Sequence, residues 1–464
     1  MPDKLYPEVI PSSSHAMRCQ DLSPNTLKVL KTLISHNYKA YAVGGCVRDK
    51  LMGQDPKDFD VVTNATPEQI KACFRNCRLI GRRFRLAHIT FGREIIEVAT
   101  FRGHHKEEED QSETKPEITD DPIDSTRRKL SPREQKYSAK IKADKKSKTS
   151  QDGQLLRDNI FGSIEEDAAR RDFTFNAMYF DVSDESILDF ANGMTAIKER
   201  QIEMIGPSDI RFREDPVRMI RAIRFAAKLN MKLPDSLSKS IKENAHLLAN
   251  IPAARLFEET NKLLLSGYGV VTFESLVKHK LLAQLFPLLA DLLSDENSKE
   301  YQLVLRMLKN TDNRINNDQR ITPAFLYATF LWYPMEEKTQ ALMFESSMPM
   351  HDALNLASAD IMFRQSRRIM IPKRFSIPVR EMWTLQLRLQ KRQGKRCLQL
   401  ITHPRFRAAY DFLLLRGQTE GGELLEIAQW WTDFQKIPDN EKQKWVAALP
   451  NKSPRRRRKR KPKT

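Results

Sequence analysis

Two acidic residues separated by one position, Asp58 and Asp60, are the first candidates for chemistry in this 464-residue chain. If residues 58–63 form a β-strand, the two-residue period places both carboxylates on one face and Phe59 and Val61 on the other. Neighbouring carboxylates repel each other unless a cation lies between them, and oxygen ligands of this kind suit Mg²⁺. A lone Asp-x-Asp is also typical of a solvated strand face, so the surrounding sequence must decide between the two.

A glycine pair precedes the two acids. Gly44 and Gly45 follow an apolar segment and open a helical stretch, so backbone N–H groups at this turn could bind phosphate. Arg48 adds a positive charge and Asp49 follows it. A glycine pair alone indicates only a tight turn. Together with an acidic pair beginning nine residues after Asp49, it predicts a triphosphate on one element and metal on the next. Two metal ions about 4 Å apart would activate an attacking hydroxyl and hold the leaving pyrophosphate.

A third carboxylate, Glu97, interrupts the apolar run 95–99. Ile95, Glu97 and Ala99 share one face of a predicted strand. A polar group in such a run can be satisfied locally, or it can assist in activating the nucleophile beside a metal pair. Both interpretations stay open at this point.

The elements that must position these residues follow from local patterns. Residues 38–45 predict a short buried strand, with its apolar residues at 40–43, and Thr66-Pro67-Glu68-Gln69 predicts a helix start with a capping box. Residues 87–91 and 94–101 predict a hairpin around Gly92-Arg93. After residue 150 the helical period dominates almost to the end, as in residues 282–293. We therefore predict an α+β fold: a small mixed-sheet head followed by an all-helical neck, body and C-terminal region.

Residues 106–150 depart sharply in composition, with twelve basic residues, eleven acidic residues and four Ile or Leu. Nine of the acids fall in residues 106–126 and ten of the bases in residues 127–150. Such a segment cannot bury enough apolar surface to offset its ordering entropy. We predict a disordered insertion within the head, whose deletion leaves the fold and chemistry intact.

The charge balance points to a polyanionic partner. The chain carries a formal charge of +18, and eight positive charges lie in its last twelve residues, so the remainder still carries +10. The basic tail could strengthen RNA binding or act only as a solubilising tail. Five cysteines, no apolar leader and no apolar run of membrane-spanning length predict a cytoplasmic protein without a membrane partner.

These shifts in composition and pattern predict five regions. They are a flexible N-terminus (1–25), a head (26–205) that contains the candidate catalytic residues and the insertion, a helical neck (206–270), a helical body with C-terminal domain (271–440), and a disordered basic tail (441–464).

Four motifs together resemble the polymerase-beta-like nucleotidyltransferases, within the class shared by bacterial poly(A) polymerases and CCA-adding tRNA nucleotidyltransferases. They are Gly44-Gly45-x-Val47-Arg48-Asp49, Asp58-Phe59-Asp60, Arg170-Arg171-Asp172-Phe173-Thr174-x-Asn176-Ala177-Met178 and Glu214-Asp215-Pro216-x-Arg218. Residues 80–88, 155–167 and 394–410 resemble the poly(A) polymerase branch. The resemblance covers about residues 25–435, apart from the insertion.

This resemblance implies template-independent addition of AMP from ATP to RNA 3′ ends, with two Mg²⁺ ions. It makes Asp58 and Asp60 metal ligands and Asp172 the other essential acid. The alternative to a catalytic role is that Arg170-Arg171-Asp172 forms a loop held by salt bridges. The expected nucleotide-binding residues are Gly44, Gly45, Arg48, Asp49, Arg102, Arg171, Asn176, Asp215, Arg218, Arg221 and Arg224.

Asp215 and Pro216 predict the start of a helix, with Asp215 as N-cap. Arg218, Arg221, Arg224 and Lys228 fall on one arc of this helix, opposite an apolar face. An ordinary amphipathic helix with a solvated basic face has the same pattern. In the resembled class, the residues matching Asp215 and Arg218 contact the base of the incoming nucleotide.

A second basic region, residues 382–410, contains no acid. Phosphate contacts from such a region bind RNA without reading its sequence. Five of its seven basic residues recur at helical spacing; the set is Arg388, Lys391, Arg392, Lys395, Arg396, Arg405 and Arg407. Two alternatives remain: a CCA-adding enzyme, and a catalytically silent RNA-binding protein. The presence of both Asp58 and Asp60 argues against the silent protein.

Overall fold

The computed structural model describes residues 6–81, 85–103, 148–149, 155–157, 160–392 and 395–447. The chain forms two compact units, Met1–Asn244 and Ala245–Thr464. We describe each unit by itself. The predicted insertion lies outside the described residues except for Lys148–Thr149, and the tail after residue 447 lies outside them entirely.

An eight-stranded mixed sheet forms the centre of the first unit, in the order β1-β10-β9-β2-β3-β6-β5-β4. A separate pair, β7 and β8, is antiparallel. The strands are β1 (Glu8–Ile10), β2 (Ala40–Val43), β3 (Asp60–Thr63), β4 (Cys77–Ile80), β5 (Leu86–Phe91), β6 (Glu94–Thr100), β7 (Lys148–Thr149), β8 (Leu155–Arg157), β9 (Met178–Phe180) and β10 (Ile187–Asp189).

The central strands follow the sequence pattern closely. All four residues of β2 are buried, as its continuous apolar sequence predicts. The β5–β6 hairpin is confirmed, and its strands pair antiparallel from Leu86↔Ala99 to Phe91↔Glu94. β3 pairs antiparallel with β2 and parallel with β6. Tyr41, Val62, Phe101 and Tyr179 pack together in the core on one face of these strands.

The strand containing the acidic pair is shorter than predicted. β3 begins at Asp60, and Asp58 precedes it by two residues. The β2–β3 ladder ends at the pair Val43↔Asp60, because the chain turns at Gly44 into a helix. Asp58 therefore has no partner residue on β2, and the prediction of a strand over residues 58–63 is corrected to Asp60–Thr63.

Eight helices belong to the described part of this unit. The Thr66 capping box and Pro67 at the first turn of α3 are as predicted. The helices are α1 (Pro24–Ser35), α2 (Gly45–Leu51), α3 (Pro67–Cys73), α4 (Ile164–Ala169), α5 (Gly193–Glu199), α6 (Ser208–Glu214), α7 (Val217–Leu229) and α8 (Asp235–Asn244).

The N-terminal region is part of this fold. β1 pairs with β10 from Glu8↔Asp189 to Ile10↔Ile187. The backbone N–H of Cys19 donates to the Glu185 carboxylate at 2.7 Å. The prediction of a flexible segment over residues 1–25 is therefore wrong for the described residues 6–25, which are tied to the sheet by non-local pairing that no local pattern reveals.

The two sides of the predicted insertion meet at its base. The N–H of Gly103 donates to the carbonyl of Ile160 at 2.8 Å, and the N–H of Gly162 donates to the carbonyl of Phe101 at 3.0 Å. Phe161 also forms a bridge with Arg102. Residues 101–103 and 160–162 are therefore adjacent in space, although more than fifty residues separate them in the chain.

The second unit is built from helices in its described residues, which confirms the predicted α+β class. They are α9 (Ala253–Leu264), α10 (Gly269–Lys278), α11 (Leu282–Leu285), α12 (Pro287–Ala290), α13 (Lys299–Asn316), α14 (Pro323–Phe330), α15 (Trp332–Ser346), α16 (Met350–Arg368), α17 (Lys373–Leu389), α18 (Lys395–Ile401), α19 (Phe406–Glu420), α20 (Gly422–Lys436) and α21 (Asp439–Ala447).

Buried tryptophans join the helices of this unit. Trp383 Nε1 donates to the carbonyl of Ala328 at 3.0 Å, and Trp431 Nε1 donates to that of Leu389 at 2.8 Å. Leu389, Phe406, Tyr410 and Trp431 belong to one apolar core. Because α17, α19 and α20 all contribute to this core, the basic residues between them are carried on a packed scaffold.

Two predictions about this unit need correction. The helical pattern over residues 282–293 forms two short helices, because Pro287 lacks the N–H needed to continue α11 and instead starts α12. Residues 441–447 belong to α21, whereas the disordered tail was predicted to begin at residue 441.

Within the residues that the structure describes, no helix combines the length and apolar character needed to cross a bilayer. All five cysteines are free thiols.

Candidate active site and RNA-binding surface

The glycine turn joins β2 to α2 at the centre of the sheet. Gly44 has φ +74°, a backbone conformation that residues with a Cβ atom rarely adopt. A Cβ atom at this position would lie 3.3 Å from Arg171 Nη1. Gly45 begins α2, so the chain passes from strand to helix within one residue. The turn therefore requires glycine at position 44 for both conformation and space.

Asp60 lies beside this turn. It is paired with Val43, the residue before Gly44, on one side and with Glu97 on the other. The register places Asp60 and Glu97 on the same face of the sheet, because directly paired residues point to the same side. Loss of solvation raises the pKa of Asp60, the charges of Glu97 and Asp58 raise it further, and Arg171 lowers it. Three carboxylates and one guanidinium thus influence one another here.

This donor set fits magnesium. Crowded carboxylates whose mutual repulsion raises a pKa gain from a bound cation, and Mg²⁺ prefers oxygen ligands. Among the described residues, no group of three or more His, Cys, Asp or Glu forms a ready-made metal cage. Mg²⁺ does not need one, since it is commonly held by one or two carboxylates together with substrate phosphates and water.

Glu97 has a partner that sequence reasoning missed as a site residue. His88 is its directly paired residue on β5, and His88 Nε2 lies 3.1 Å from Glu97 Oε1. The Glu97 side chain is about half exposed (48 %), so it remains accessible to solvent. The signal was present in the sequence, because hairpin pairing around Gly92-Arg93 places residues 88 and 97 opposite each other.

Arg171 connects the glycine turn to the sheet. Its Nη2 lies 3.1 Å from Asp167 Oδ2, and its Nε donates to Tyr179 Oη at 3.0 Å. Its Nη1 donates to the carbonyl of Asn176 at 3.1 Å. Burial opposes the charged form, but Tyr179 and Asp167 outweigh it and raise the pKa of Arg171. This fixed cation faces the carboxylates of the site.

Arg48 is placed differently from the prediction. Its guanidinium is buried and donates to Asp49 Oδ1 through Nε at 2.8 Å and to Asn176 Oδ1 through Nη1 at 2.7 Å. The group also lies over the Phe225 ring, 5.1 Å from the centroid. The expectation that Arg48 offers a free charge to phosphate is therefore corrected. Arg48 and Asp49 stabilise the turn through these contacts. Lys228 Nζ lies 3.4 Å from Asp49 Oδ2.

Asp172 is the centre of a second internal network. It accepts hydrogen bonds from Asn176 Nδ2 at 3.0 Å and from Arg221 Nε at 2.7 Å. Burial by itself would raise the pKa of Asp172, but Arg221, Asn176 and then Arg218 lower it to about 2. Asn176 therefore joins Arg48 on one side to Asp172 on the other. Side chains of the motif 170–178 therefore link the glycine turn to α7 through hydrogen bonds.

The basic face of α7 is only partly exposed, and three of its four basic residues pair with acids of the same unit. Arg218 is buried, and its Nη1 donates to Glu214 Oε2 at 2.7 Å and to the carbonyl of Arg211 at 2.8 Å. Arg221 is held by Asp172 and Lys228 by Asp49. The interpretation of an ordinary amphipathic helix is therefore wrong, and α7 carries arginines into the site.

Asp215 lies immediately before α7. The helix begins at Val217 with Pro216 as its N-cap, one residue later than predicted. Asp215 Oδ1 still accepts a hydrogen bond from the Val217 N–H at 3.3 Å, as an N-terminal capping side chain does. Arg224, three residues after Arg221, is partly exposed on the same helix.

Several arginines beside this network influence one another. Burial lowers the pKa of Arg170 to about 10, and the charges of Arg102, Arg211 and Arg218 contribute to this lowering. Burial also lowers the pKa of Arg211 to about 10. Mutually repelling guanidiniums create a positive potential that favours a polyanion such as a triphosphate. Arg102 was predicted from the sequence; Arg211 and its partner Glu214 were not assigned as site residues.

The predicted RNA-binding residues do not form one helical stripe. Arg388 lies on α17, which ends at Leu389, and a new helix begins at Lys395. Lys391 and Arg392 fall between the two helices, and the side chains of Lys395 and Arg396 lie outside the described residues. The expectation of five basic residues on one helix face is therefore corrected.

Two further members of this set have ion-pair partners. Arg405 Nε lies 3.0 Å from Glu381 Oε2, and Arg407 Nη2 lies 3.0 Å from Asp411 Oδ1. Arg388, Arg405 and Arg407 are nevertheless all exposed, so each is accessible to a phosphate.

The fold occurs in solved structures of tRNA-processing enzymes. The CCA-adding enzyme of Bacillus stearothermophilus in complex with CTP matches with a TM-score of 0.58, at 21 % identity, over 92 % of this chain and 89 % of that one. A tRNA nucleotidyltransferase complexed with a primer tRNA and an incoming ATP analog matches with a TM-score of 0.55 at 21 % identity, over 88 % of this chain and 98 % of that one. At this level of identity the likeness shows a shared fold.

Matches to sequence-family models and to relatives identify the family of this chain. "Poly A polymerase head domain" matches residues 40–203, "Probable RNA and SrmB- binding site of polymerase A" matches residues 230–293, and "Polymerase A arginine-rich C-terminus" matches residues 346–464. Poly(A) polymerase I of Salmonella typhimurium is 47 % identical over 97 % of this chain and 91 % of its own length. That of Haemophilus influenzae is 43 % identical over 92 % and 88 %. The chain belongs to the bacterial poly(A) polymerase family.

CCA-adding enzymes are more distant in sequence. The enzyme of Bacillus pumilus is 31 % identical over 58 % of this chain and 57 % of its own length. The resemblance stated from motifs alone is thus confirmed for the poly(A) polymerase branch.

Proposed function

We propose that this enzyme adds AMP from ATP to RNA 3′ ends without a template, using Mg²⁺. The observation that carries the proposal is the position of Asp60, between the Gly44 turn and Glu97 on one face of the sheet. The phosphate chain of ATP would lie against the turn and the arginines, and the 3′ end of RNA would approach the carboxylates.

The reaction is an in-line displacement. The RNA 3′ oxygen forms a bond to the α-phosphorus of ATP, the bond from that phosphorus to the bridging oxygen breaks, and pyrophosphate leaves. We assign Asp58 and Asp60 as the residues that would hold Mg²⁺, with Glu97 as the acceptor of the hydroxyl proton. Bound Mg²⁺ would supply charge neutralisation for the attacking and leaving oxygens.

Most of the remaining catalytic work is positioning. Arg171 sets a fixed positive charge beside Asp60 and the turn. We assign Arg48, Asp49 and Asn176 to holding the turn in shape, and Asp172 to orienting Arg221. Asp215 and Arg218 are proposed to recognise the base, with Arg102 and Arg224 supplying further contacts. Arg218 must then contact the base through atoms other than Nη1, because Nη1 is paired with Glu214.

Arg388, Arg405 and Arg407 are proposed to bind RNA phosphates, together with Lys391, Arg392, Lys395 and Arg396. Such contacts suit an enzyme whose RNA ends vary in sequence. We place the enzyme in the cytoplasm, where thiols stay reduced, because all five of its cysteines are unpaired.

Nucleotide selectivity tests this function against the alternative. The purified enzyme is given an unstructured RNA, or a tRNA lacking its terminal CCA, with each of the four nucleotides separately. Long tails from ATP alone, on both RNAs, are expected. Addition limited to C, C and A on the tRNA would establish a CCA-adding enzyme instead, as in the solved structures that share the fold.

Alanine variants of Asp58 and Asp60 complete the test. Each is expected to abolish addition while leaving RNA affinity within about twofold, because RNA phosphates are bound by other residues. Activity retained by either variant would refute the metal assignment.

A further inference from the structure

A groove in the second unit is not accounted for by the catalytic site. It is an open groove along one face of α17, bordered by residues from α16 and from the α18–α19 connection, with a volume of about 270 Å³. Ile377, Arg380, Thr384 and Arg388 line it from α17, with His403 from the connection. We call it the α17 groove.

The groove presents uncompensated positive charge. Arg380 and Arg388 are exposed and have no ion-pair partner among the described residues. The acid that lines the groove, Glu381, is paired with Arg405 at 3.0 Å. Eight residues separate the two arginines, which places them about 12 Å apart along the helix axis. Two positive charges at this spacing suit two non-adjacent phosphates of one strand better than a single small anion.

Neutral hydrogen-bonding groups also line the groove. The Arg405 N–H donates to His403 Nδ1 at 3.1 Å, so the neutral ring carries its proton on Nε2 and has a donor to offer. Asn355 Nδ2 donates to His351 Nδ1 at 3.1 Å, which leaves the Asn355 carbonyl oxygen as an acceptor. A donor and an acceptor in one cavity suit the edge of a nucleobase.

The groove also has an apolar side. Ile377 is 55 % exposed although it is a large aliphatic residue on a helix that is otherwise well packed. Leu385, which also lines the groove, is buried. Apolar surface beside arginines is what an unstacked base of a single strand requires, whereas a double helix hides its base faces.

We propose that the α17 groove binds single-stranded RNA, with phosphates at Arg380 and Arg388 and a base against Ile377, within reach of His403 and Asn355. This inference rests on the proposed function, since it gives the RNA substrate a defined binding site in the second unit. The groove holds the strand without selecting one sequence, because its contacts to phosphate dominate.

The test compares two double variants of the same helix. Arg380→Ala/Arg388→Ala removes the groove cations, whereas Lys373→Ala/Arg374→Ala removes two exposed positive charges of α17 that do not line the groove. Binding of a fluorescent 15-nucleotide oligoadenylate is measured by anisotropy without ATP. The groove variant is expected to bind about tenfold more weakly and the control within about twofold of wild type. The slope of log Kd against log salt is expected to fall by about 1.4 in the groove variant.

Two further readouts show whether the RNA strand itself lies in the α17 groove. The KM for RNA rises in the groove variant while the KM for ATP stays constant, as expected for lost RNA binding. RNA carrying 4-thiouridine is expected to cross-link to peptides containing Ile377 or His403. Equal weakening by both double variants, or cross-links only elsewhere, would overturn the proposal. Absence of AMP addition by the wild type would refute the proposed function but leave the binding comparison intact.

Discussion

Like charges converge at the centre of this site, and their repulsion is a physical property that can be measured. Asp60 lies next to Glu97 across the ladder, and Asp58 adds to the negative potential. Loss of solvation is the largest cause of the raised pKa of Asp60, the charges of Glu97 and Asp58 add to it, and Arg171 compensates only in part. The carboxylate of Asp60 therefore destabilises the metal-free protein, and its presence is explained by function and not by stability.

Asp60→Asn is expected to lower the rate of AMP addition by about 10³-fold or more and, in EDTA, to raise the melting temperature slightly. A folded-state pKa above the unfolded value means that folding favours the neutral form, so a neutral amide removes the cost above that pKa. The measurement is differential scanning fluorimetry at pH 7 beside a primer-extension assay.

Asp55→Asn provides the matched control for this change. Asp55 has a lowered pKa because Lys50 donates a hydrogen bond to it, so its loss is expected to give no thermal gain and to leave activity unchanged. A melting temperature that falls in Asp60→Asn would contradict the conclusion that the folded protein disfavours the charged form of Asp60.

The pKa of Asp172 is shifted in the opposite direction from that of Asp60. Its pKa of about 2 lies below the ordinary value of 3.8, so its contribution is present above about pH 4 and is lost as the pH falls towards 2. Asp172→Asn is expected to destabilise the first unit by about 3 kcal/mol at pH 7, because Arg221 loses its buried partner. Urea unfolding at pH 7, 5 and 3 checks this expectation.

The difference between Asp172→Asn and wild type is expected to shrink between pH 5 and pH 3. The double variant Asp172→Asn/Arg221→Met is the control, since it removes the whole pair and should cost less than the sum of the single changes. A constant difference at all three pH values would show that the charge of Asp172 is not the cause.

At the scale of elements, the β2–α2 turn depends on one glycine. Gly44→Ala combines a backbone conformation unfavourable for alanine with a Cβ atom 3.3 Å from Arg171 Nη1. We expect a loss of about 2 kcal/mol in stability and a raised KM for ATP, because Arg171 must move. Thermal denaturation and steady-state kinetics measure the two effects.

Gly53→Ala is the control, because this position has a positive φ but lacks a contact like that with Arg171. Gly53 also has φ +74°, but a Cβ atom there would meet nothing within 4 Å. It should lose about 1 kcal/mol and keep its KM for ATP. If both variants changed the KM equally, the contact with Arg171 would not matter for nucleotide binding.

Elements defined by neighbouring residues were predictable, and those defined by distant partners were not. The capping box of α3 and the β5–β6 hairpin depend on local sequence, and both are as predicted. The start of β3 depends on where β2 turns away, and the pairing of β1 depends on β10, which is about 180 residues distant. No local pattern contains that information.

The candidate site shows the same division. The acidic pair, the glycine turn and Glu97 were identified by type and spacing, and the register brings Asp60, the turn and Glu97 together. The burial of Arg48 and Arg218 was not predictable, because an arginine has the same sequence signature whether it meets phosphate or a buried acid. Their partners, Asn176 and Glu214, become evident only in three dimensions.

At the scale of the whole molecule, the first unit is interrupted by the charged segment but closed at its base. Deleting residues 106–147 and joining the ends with ten Gly/Ser residues is expected to keep cooperative unfolding. Because the linker closes a shorter loop, stability should rise by about 1 kcal/mol. AMP addition should be preserved, since the residues that line the candidate site lie outside the deletion. Circular dichroism during thermal unfolding and the primer-extension assay measure both.

The deletion spares Lys148–Thr149, which pairs with Leu155–Arg157. A second deletion of residues 106–157 removes this pair as well and shows whether it contributes to stability. Loss of the cooperative transition in the shorter deletion would demonstrate that residues 106–147 have a structural role, contrary to their composition.

The hydrogen bonds from Gly103 to Ile160 and from Gly162 to Phe101 have a genetic consequence. Because the polypeptide leaves and re-enters the fold at adjacent points, covalent continuity between them contributes little to the surrounding contacts. The gene could therefore be divided within this stretch, and two separately expressed fragments would reassemble into one catalyst by complementation.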